Sequence, residues 1–188
     1  MRLFLARHGN TDWTERGLIQ GHTNIPLNDL GRESAKRLAQ ELAAFQDEIG
    51  LVISSDLLRA SETAQIVASH LAKPIVLDAR LREAAFGSIE GMTKDQVTQA
   101  HGPIMERSIV EWDFRSLGGE NHSSVIQRYT AAMEDYGGQL PAGSCLLIVG
   151  HGRSLSTLSR HLGQHENFQR PASWVSIETD QGLRPHAV

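Results

Sequence analysis

Short apolar runs mark the strands that this sequence predicts. Such runs occur at Leu3–Ala6, Leu51–Ile53, Pro74–Leu77 and Cys145–Val149, and the last of them is the strongest candidate for a buried strand. Trp174–Glu178 alternates apolar and polar residues, which is typical of a strand with one solvated side. We therefore expect four apolar strands and a fifth strand at an edge of the sheet.

Between these runs, apolar residues recur at the spacing of amphipathic helices. The helices predicted in this way are Leu30–Phe45, a segment carrying Ala60 to Leu71, Ser123 to about Tyr136, and Arg153 to about Leu162. Asn28 is the expected N-cap of the first helix. Strands that alternate with helices predict an α/β fold with a mostly parallel sheet.

Length and composition narrow the classes of protein that fit. The 188 residues, 40% of them hydrophobic and 21% charged, predict one folded domain over residues 1–188 and exclude a disordered chain. A single cysteine, Cys145, permits no intramolecular disulfide, which fits a reducing compartment. The net charge of −4 argues against an extended nucleic-acid surface, so we expect no nucleic-acid partner.

The N-terminal segment does not read as a targeting signal. Arg7 interrupts the first apolar run earlier than the roughly 7–15 apolar residues of a signal peptide allow. No run approaches the roughly 18 apolar residues of a membrane span. We expect a cytoplasmic protein without a membrane partner.

Polar and reactive residues follow three of the predicted strands directly. These segments are Arg7–Gly9, Ser54–Asp56 and Gly150–Gly152, and Arg59 lies about one helical turn beyond the second. In open α/β sheets, ligands bind at the carboxyl ends of the strands. The three segments are therefore expected to converge on one crevice.

Two arginines and two histidines in one crevice suit an anionic ligand. The guanidinium groups of Arg7 and Arg59 can each present paired donors to phosphate or carboxylate oxygens. Arginines disfavour the cationic form of a neighbouring histidine, which leaves a neutral and nucleophilic imidazole on His8 or His151. Phosphoryl transfer depends mainly on such positioning and charge stabilisation.

Several ordered motifs cover most of the chain. They are Arg7–Thr11, Gln20-Gly21, Pro26–Asn28 with Gly31, Ser54–Ala64, Leu81–Glu83 with Phe86-Gly87 and Glu90-Gly91, Gly118–Glu120, and Val149–Gly152. In their order and residue types they resemble the histidine phosphatase superfamily, whose members are also described as phosphoglycerate mutase-like. The resemblance implies a three-layer α/β/α sandwich of that type.

The resemblance also implies roles for individual residues. His8 would be the nucleophile that forms a phosphohistidine, and Glu83 would give a proton to the leaving oxygen. Arg7, Arg59 and His151 would hold the phosphate oxygens. Residues expected on the phosphate and substrate side are Asn10, Thr11, Gln20, Gly21 and Gly152. No cofactor and no metal are implied.

The segment after Glu83 resembles that of the phosphatase branch of the family. Ala84-Ala85 follows Glu83, whereas the longer glycolytic mutases carry a Glu-Arg-His-Tyr-Gly segment after the acid. We therefore expect a phosphomonoesterase acting on a small phosphate ester.

Thr14 stands where many members have an asparagine that touches the phosphate. Trp112, Phe114 and Arg115 are candidates for the mouth of the site, with packing in the core as the alternative.

Other functions remain open from the sequence. One is mutase-type phosphoryl transfer, and another is a phosphate-binding module without turnover. A metal-dependent hydrolase is suggested by His161 and His165, although Gly163 lies between them and surface positions are the better interpretation. The sequence allows either a monomer or a homodimer.

Overall fold

Five strands form one mixed sheet. A computed structural model describes residues 2–103 and 112–178. The strands are β1 (Arg2–Arg7), β2 (Ile49–Ser54), β3 (Ile75–Leu77), β4 (Cys145–Gly150) and β5 (Trp174–Glu178), in the spatial order β3-β2-β4-β1-β5. The pairs β1–β4, β2–β4 and β2–β3 are parallel, whereas β5 lies antiparallel to β1 at one edge. The predicted edge strand is thus confirmed.

Helices cover both faces of this sheet. Within the described residues they are α1 (Asp12–Glu15), α2 (Asp29–Leu42), α3 (Leu58–Leu71), α4 (Lys94–His101), α5 (His122–Gly137) and α6 (Gly152–His161). Short 3-10 turns occur at Ala43–Phe45, Ala79–Leu81, Gly87–Ile89 and Arg115–Leu117. Asn28 caps α2 as expected, because its side chain accepts a hydrogen bond from the Gly31 N–H at 2.8 Å.

Alternate residues of the strands point into two separate cores. Leu3 and Leu5 of β1 belong to the core beneath α5 and α6, and Phe4 and Ala6 belong to the core beneath α2 and α3. This period of two follows from strand geometry, so a fully apolar strand needs a helical layer on each side. The predicted three-layer α/β/α sandwich with a mostly parallel sheet is confirmed.

The sequence pattern missed two helices. It predicted no helix between Leu71 and Ser123, yet α4 lies there, with a capping box in which Thr93 and Gln96 bond reciprocally. The four-residue α1 was also missed. Both are short, and neither buries an apolar face broad enough to give a clear period. Among the helices described, none is long and apolar enough to cross a membrane.

Candidate active site

The sheet brings together two histidines that are far apart in the sequence. His8 follows β1 and His151 follows β4, and these strands are parallel neighbours. The His8 N–H donates to the Gly150 carbonyl at 3.0 Å, and the two imidazole centroids lie 5.2 Å apart. Both side chains are buried. The carboxyl ends of β1 and β4 therefore form the floor of a shared site.

A hydrogen bond to the backbone orients the His8 ring. Its Nδ1 lies 2.7 Å from the Gly9 carbonyl oxygen. Because a carbonyl only accepts hydrogen bonds, Nδ1 carries the proton of the neutral ring and Nε2 keeps its lone pair. The Gly9 N–H in turn donates to Thr63 Oγ1 at 3.0 Å. This turn needs glycine, since a Cβ at position 9 would lie 2.5 Å from the Gly31 carbonyl oxygen.

Arg59 extends from α3 into the same site. Its Nη1 donates to the Thr23 carbonyl at 2.9 Å, and its Nη2 donates to the Gly21 carbonyl at 2.8 Å. The side chain is fully buried, and its Nε has no hydrogen-bond partner among the residues that the structure describes. A buried guanidinium with an unused donor can accept an anion as its hydrogen-bond partner.

Arg7 completes the cationic side of the site. Its Nη1 donates to the carbonyls of Phe168, at 2.9 Å, and Gln169. Its buried Nε, like that of Arg59, has no partner in the described part of the chain. A side chain at position 152 would crowd this guanidinium, because a Cβ there would lie 3.3 Å from both Arg7 Cζ and Arg7 Nε. Gly152 thus leaves room for Arg7.

His151 contributes a ring with two unused nitrogens. It is the N-cap residue of α6, and neither its Nδ1 nor its Nε2 has a partner within residues 2–103 and 112–178. The helix that follows directs the positive end of its dipole toward this region, and the Arg153 and Ser154 N–H groups of its first turn donate to Glu83. The ring and the helix terminus therefore face a position that suits a negative group.

Burial and positive charge keep both histidines neutral. Burial, followed by the charges of Arg59 and Arg7, holds the pKa of His8 well below its ordinary value of 6.5. Burial, followed by the charge of Arg59, lowers the pKa of His151 in the same direction. Burial also lowers the pKa of Arg59 to about 10, so this guanidinium remains charged at neutral pH. The site thus combines neutral imidazoles with cationic guanidiniums.

Glu90 fixes the loop whose carbonyls hold Arg59. Its carboxylate accepts hydrogen bonds from the His22 N–H at 3.0 Å and from the Thr23 N–H and hydroxyl at 3.1 and 2.9 Å. Gly21 adopts φ +50°, and a Cβ there would lie 2.0 Å from the Glu90 carboxylate. Glycine is therefore required for the loop to close around this carboxylate.

Glu83 lies across the site at the N-terminus of α6. Its Oε1 accepts from the Ala84 N–H at 3.0 Å and from the Ser154 N–H and hydroxyl at 2.9 and 2.7 Å. Its Oε2 accepts from the Arg153 N–H at 3.1 Å. The carboxyl group is thus held by the helix terminus that also carries His151, and it lines the cleft beside Arg7.

Arg128 of α5 secures the backbone that carries Glu83. Its Nε and Nη2 donate to the Glu120 carboxylate at 3.0 and 2.9 Å. Its remaining bonds, at 2.6–2.9 Å, go to the carbonyls of Arg80, Arg82 and Glu83. One arginine therefore connects the acid-bearing loop to α5.

The site opens into a cleft with two lobes. One lobe has a volume of about 450 Å³ and the other about 430 Å³. Both are lined by Arg7, Glu83, Lys94 and Gln169. The cleft is large enough for the organic part of a small ligand whose anionic end lies against Arg7.

The structure places most of the predicted binding residues at this cleft. Asn10, Gln20 and Gly21 line one lobe, and Gly152 lines the other. Thr11 lies behind the cleft, because it is fully buried and its hydroxyl is used in the cap of α1 and by Gln20.

Thr14 has a structural partner at the position where an asparagine was expected. Its hydroxyl accepts from the Thr11 N–H at 2.7 Å and donates to the Thr11 carbonyl at 2.7 Å. These bonds belong to the capping box of α1. Thr14 is therefore engaged in holding the turn after Arg7–Asn10.

The three candidate mouth residues separate into different environments. Trp112 lines the 450 Å³ lobe, whereas Phe114 is buried in the core. Arg115 is exposed and pairs with Asp113 at 2.6 Å. Within the residues described, no group of three or more histidine, cysteine, aspartate or glutamate side chains is arranged to hold a metal ion.

Sequence reasoning gave no role to several residues that shape the site. Arg128, Ser154 and Lys94 are the principal ones. Glu120 was noted only as part of a motif. A helical arginine or serine carries no distinctive local pattern, so only the tertiary contacts identify these positions.

Comparison with known proteins yields one family. Residues 3–184 match the model of the histidine phosphatase superfamily, branch 1. The chain is 34% identical over 160 residues to phosphoglycerate mutase-like protein 4 of Arabidopsis thaliana, which covers 83% of this chain and 68% of that protein. It is 35% identical over 162 residues to the probable phosphoglycerate mutase GpmB of Escherichia coli O1:K1, covering 84% and 73%.

Solved structures show the same fold. A mycobacterial glucosyl-3-phosphoglycerate phosphatase, solved with VO3, superposes with a TM-score of 0.82 at 26% identity, covering 94% of this chain and 90% of that one. YhfR of Bacillus stearothermophilus gives a TM-score of 0.80 at 31% identity, covering 96% and 92%.

Proposed function

The chain belongs to the histidine phosphatase superfamily, and on that premise we propose that it is a metal-independent phosphomonoesterase. It hydrolyses a small phosphorylated metabolite through a phosphohistidine on His8, with Glu83 as the proton donor. Members and relatives of this family act on phosphate esters as phosphatases or carry mutase names. The proposal concerns which of these activities this chain has and which residues perform it.

The observation that carries the proposal is a set of unused buried polar atoms around His8. The Nε atoms of Arg7 and Arg59 and both ring nitrogens of His151 have no partner within the described residues. Unsatisfied buried polar atoms are costly, and their concentration in one place indicates a ligand that satisfies them. A phosphate group has acceptor oxygens for the guanidiniums and a phosphorus that His8 can attack.

In the first step, the Nε2 lone pair of His8 attacks the phosphorus of the ester. The bond between phosphorus and the ester oxygen breaks, and its electron pair stays on that oxygen. Glu83, in its protonated form, transfers a proton to this oxygen, so the alcohol leaves neutral. Arg7, Arg59 and His151 stabilise the charge on the non-bridging oxygens as it redistributes.

In the second step, a water molecule takes the place of the alcohol. Glu83, now ionised, removes a proton from the water as its oxygen bonds to phosphorus. The bond between phosphorus and Nε2 breaks and returns the lone pair to His8. Inorganic phosphate leaves, and Glu83 is protonated again for the next cycle.

The names of the relatives favour a second candidate, a phosphoglycerate mutase activity. In that reaction the phosphohistidine gives its phosphoryl group to a substrate hydroxyl instead of to water. Against it stands the segment after Glu83, where Ala84 and Ala85 replace the longer charged motif of the glycolytic mutases.

An aryl phosphate assay in excess chelator tests the proposal. The unmodified protein should release phosphate. His8→Ala should lower the rate of release about 10⁴-fold or more, because the nucleophile is lost. His70→Ala is the matched control, because His70 is an exposed histidine on α3 and should leave the rate unchanged. Protein-bound phosphate that is stable to alkali and labile to acid should accumulate on rapid quenching.

Three results would contradict it. Full activity in His8→Ala would remove the proposed nucleophile. Interconversion of 3- and 2-phosphoglycerate that is faster than phosphate release would assign the mutase reaction instead. Phosphate binding without turnover of any ester would leave only a binding module.

A further inference from the structure

Arg153 is a cation at an unusual position in α6. It is the second residue of that helix, where the positive end of the dipole favours negative side chains, and its own N–H donates to the Glu83 carboxylate. No acidic residue occurs in the first turn. Among the described residues, the structure records no hydrogen bond or ion pair from its guanidinium. Helix stability alone therefore does not explain an arginine here.

Three aromatic rings hold this guanidinium in place. Its central carbon lies 5.7 Å from the Phe86 centroid and 5.6 Å from the centroids of Trp112 and Phe114. Rings at these distances attract a cation and restrict its rotamers without occupying its N–H donors. Burial lowers the pKa of Arg153 from its ordinary value, and the charge of Glu83 acts in the opposite direction. The group is thus fixed and partly desolvated while its donors stay available.

The cleft connects Arg153 to the proposed phosphate site. Arg153 and Arg7 both line the 450 Å³ lobe, together with the cations Lys94 and Arg160. Glu83 also lines it, but both of its carboxylate oxygens already accept N–H hydrogen bonds. An organic ligand bound at Arg7 would therefore extend into a second region of positive charge.

We propose that Arg153, assisted by Lys94, binds a second anionic group on the leaving-group side of the substrate, so that the chain prefers phosphate esters carrying an additional carboxylate or phosphate. This inference rests on the proposed function, because it assigns the substrate class of the same site. Arg153 acts here as a specificity residue and takes no part in the transfer of the phosphoryl group.

Matched ester pairs test the preference. In the first pair, 3-phosphoglycerate carries a carboxylate where glycerol 3-phosphate has a hydroxymethyl group. In the second pair, fructose 1,6-bisphosphate carries a second phosphate that fructose 6-phosphate lacks. The unmodified protein should give a kcat/KM about ten- to hundred-fold higher for the acidic member of at least one pair, as expected for a charge-assisted contact. Which pair responds identifies the anion as carboxylate or phosphate.

Variants assign the preference to Arg153. Arg153→Gln should reduce the ratio within the responding pair about ten-fold or more, and Arg153→Lys should restore part of it. As a control, Lys73→Gln removes one positive charge from the segment that joins α3 to β3, at the opposite end of the sheet. It should leave the ratio of the two kcat/KM values unchanged. Thermal unfolding of each variant checks that the fold is kept.

The outcomes separate this inference from the proposed function. Aryl phosphate hydrolysis with no preference in either pair, or a preference that survives Arg153→Gln, overturns the role of Arg153 and leaves the phosphatase proposal intact. If no ester is hydrolysed, calorimetry with propylphosphonate and 3-phosphonopropionate decides the matter. If 3-phosphonopropionate binds more tightly than propylphosphonate, and Arg153→Gln removes this difference, the second anion site is supported even without turnover. Equal binding of the two phosphonates to the unmodified protein would overturn it.

Discussion

Arg59 and Arg128 are both largely buried arginines beside the cleft, but they use their donors differently. Arg128 makes five hydrogen bonds, two to the Glu120 carboxylate and three to backbone carbonyls. Those bonds use all of the five N–H groups that a guanidinium has. Arg59 has two recorded bonds to carbonyls, and its buried Nε has no partner in the described chain.

This difference indicates that the two sides of the site have different functions. On the Arg128 side, the polar groups are satisfied within the chain, so the loop carrying Glu83 is fixed. On the Arg59 side, unused donors surround His8, so the cost of burying them is offset only when an anion binds. Substitutions on the Arg128 side should change the stability of the fold and the position of Glu83. Substitutions on the Arg59 side should change ligand affinity and reaction rate.

Replacing Arg59 should give the largest effect among the supporting residues. Arg59→Met removes the buried cation that the proposed mechanism places against the phosphate oxygens, so kcat/KM should fall about 10³-fold. Arg59→Lys should recover only part of this loss, because lysine lacks the paired donors. Calorimetry with inorganic phosphate should show weaker binding in both. Unchanged phosphate affinity in Arg59→Met would contradict the division between the two sides.

Glu83→Gln should separate rate from binding. It keeps the shape of the side chain but removes the group that the proposed mechanism uses as the proton donor, so kcat on an alkyl phosphate should fall about 10²–10³-fold. Nitrophenyl phosphate has a good leaving group, so it should give a rapid burst of nitrophenol followed by slow turnover. Stopped-flow absorbance measures the burst. Equal losses on both esters, without a burst, would exclude Glu83 as the acid.

The buried histidines should make the empty protein less stable in mild acid. Their pKa values lie below 6.5 in the folded state, so the unfolded chain binds more protons below that pH. Stability should therefore fall as the pH drops from about 6.5, by up to about 1.4 kcal/mol per pH unit for each histidine. Urea unfolding at pH 7, 6 and 5 measures it.

The pH window distinguishes these histidines from the carboxyl groups. Asp56 and Glu120 have pKa values lowered from 3.8 and 4.5, so their contributions are lost only at lower pH. His8→Ala should reduce the slope between pH 6.5 and 5, and the exposed His70→Ala should not. A flat stability profile over this interval would show that the two rings are not held neutral.

On the Arg128 side, Glu120→Gln should cost stability. The substitution leaves a largely buried guanidinium without its counter-ion, so the free energy of unfolding should fall by about 2 kcal/mol. Glu48→Gln removes a more exposed ion pair with Arg2 and should cost less than about 1 kcal/mol. Denaturant unfolding compares them. Equal costs would indicate that the Arg128 network contributes no more than a surface pair.

Thr14→Val should have the smallest effect. It removes the two bonds to the backbone of Thr11, so stability should fall by about 1 kcal/mol, as for the loss of a helix cap. If the hydroxyl serves only the turn, kcat/KM should stay within about three-fold. A much larger loss of phosphate affinity would place Thr14 among the phosphate-binding groups.

The sequence predicted the three layers because the spacing of apolar residues along each strand matches the burial of that strand in the fold. Cys145–Val149 is apolar throughout, and in the structure β4 lies at the centre of the sheet with helices on both faces. The alternating pattern of Trp174–Glu178 likewise matches its place at an edge. The short helices α1 and α4 could not be predicted in this way, since capping bonds rather than apolar periods define them.

The site was predictable where reactive residues follow strands directly. His8 and His151 are of this kind, because the topology of a parallel sheet places their strand ends side by side. Arg153 and Arg128 are different, since their environments depend on aromatic rings and backbone carbonyls from distant segments. A single sequence carries no signal for such contacts.

The position of β1 between β4 and β5 has a consequence for protein synthesis. Leu3 pairs with Leu146 on one side and with Ile177 on the other, so β1 is synthesised long before both of the strands that it pairs with. A growing chain stopped before β4 would carry His8 without the neighbouring strand that positions it. Phosphate-binding capacity should therefore emerge only after β4 has been synthesised and has paired with β1.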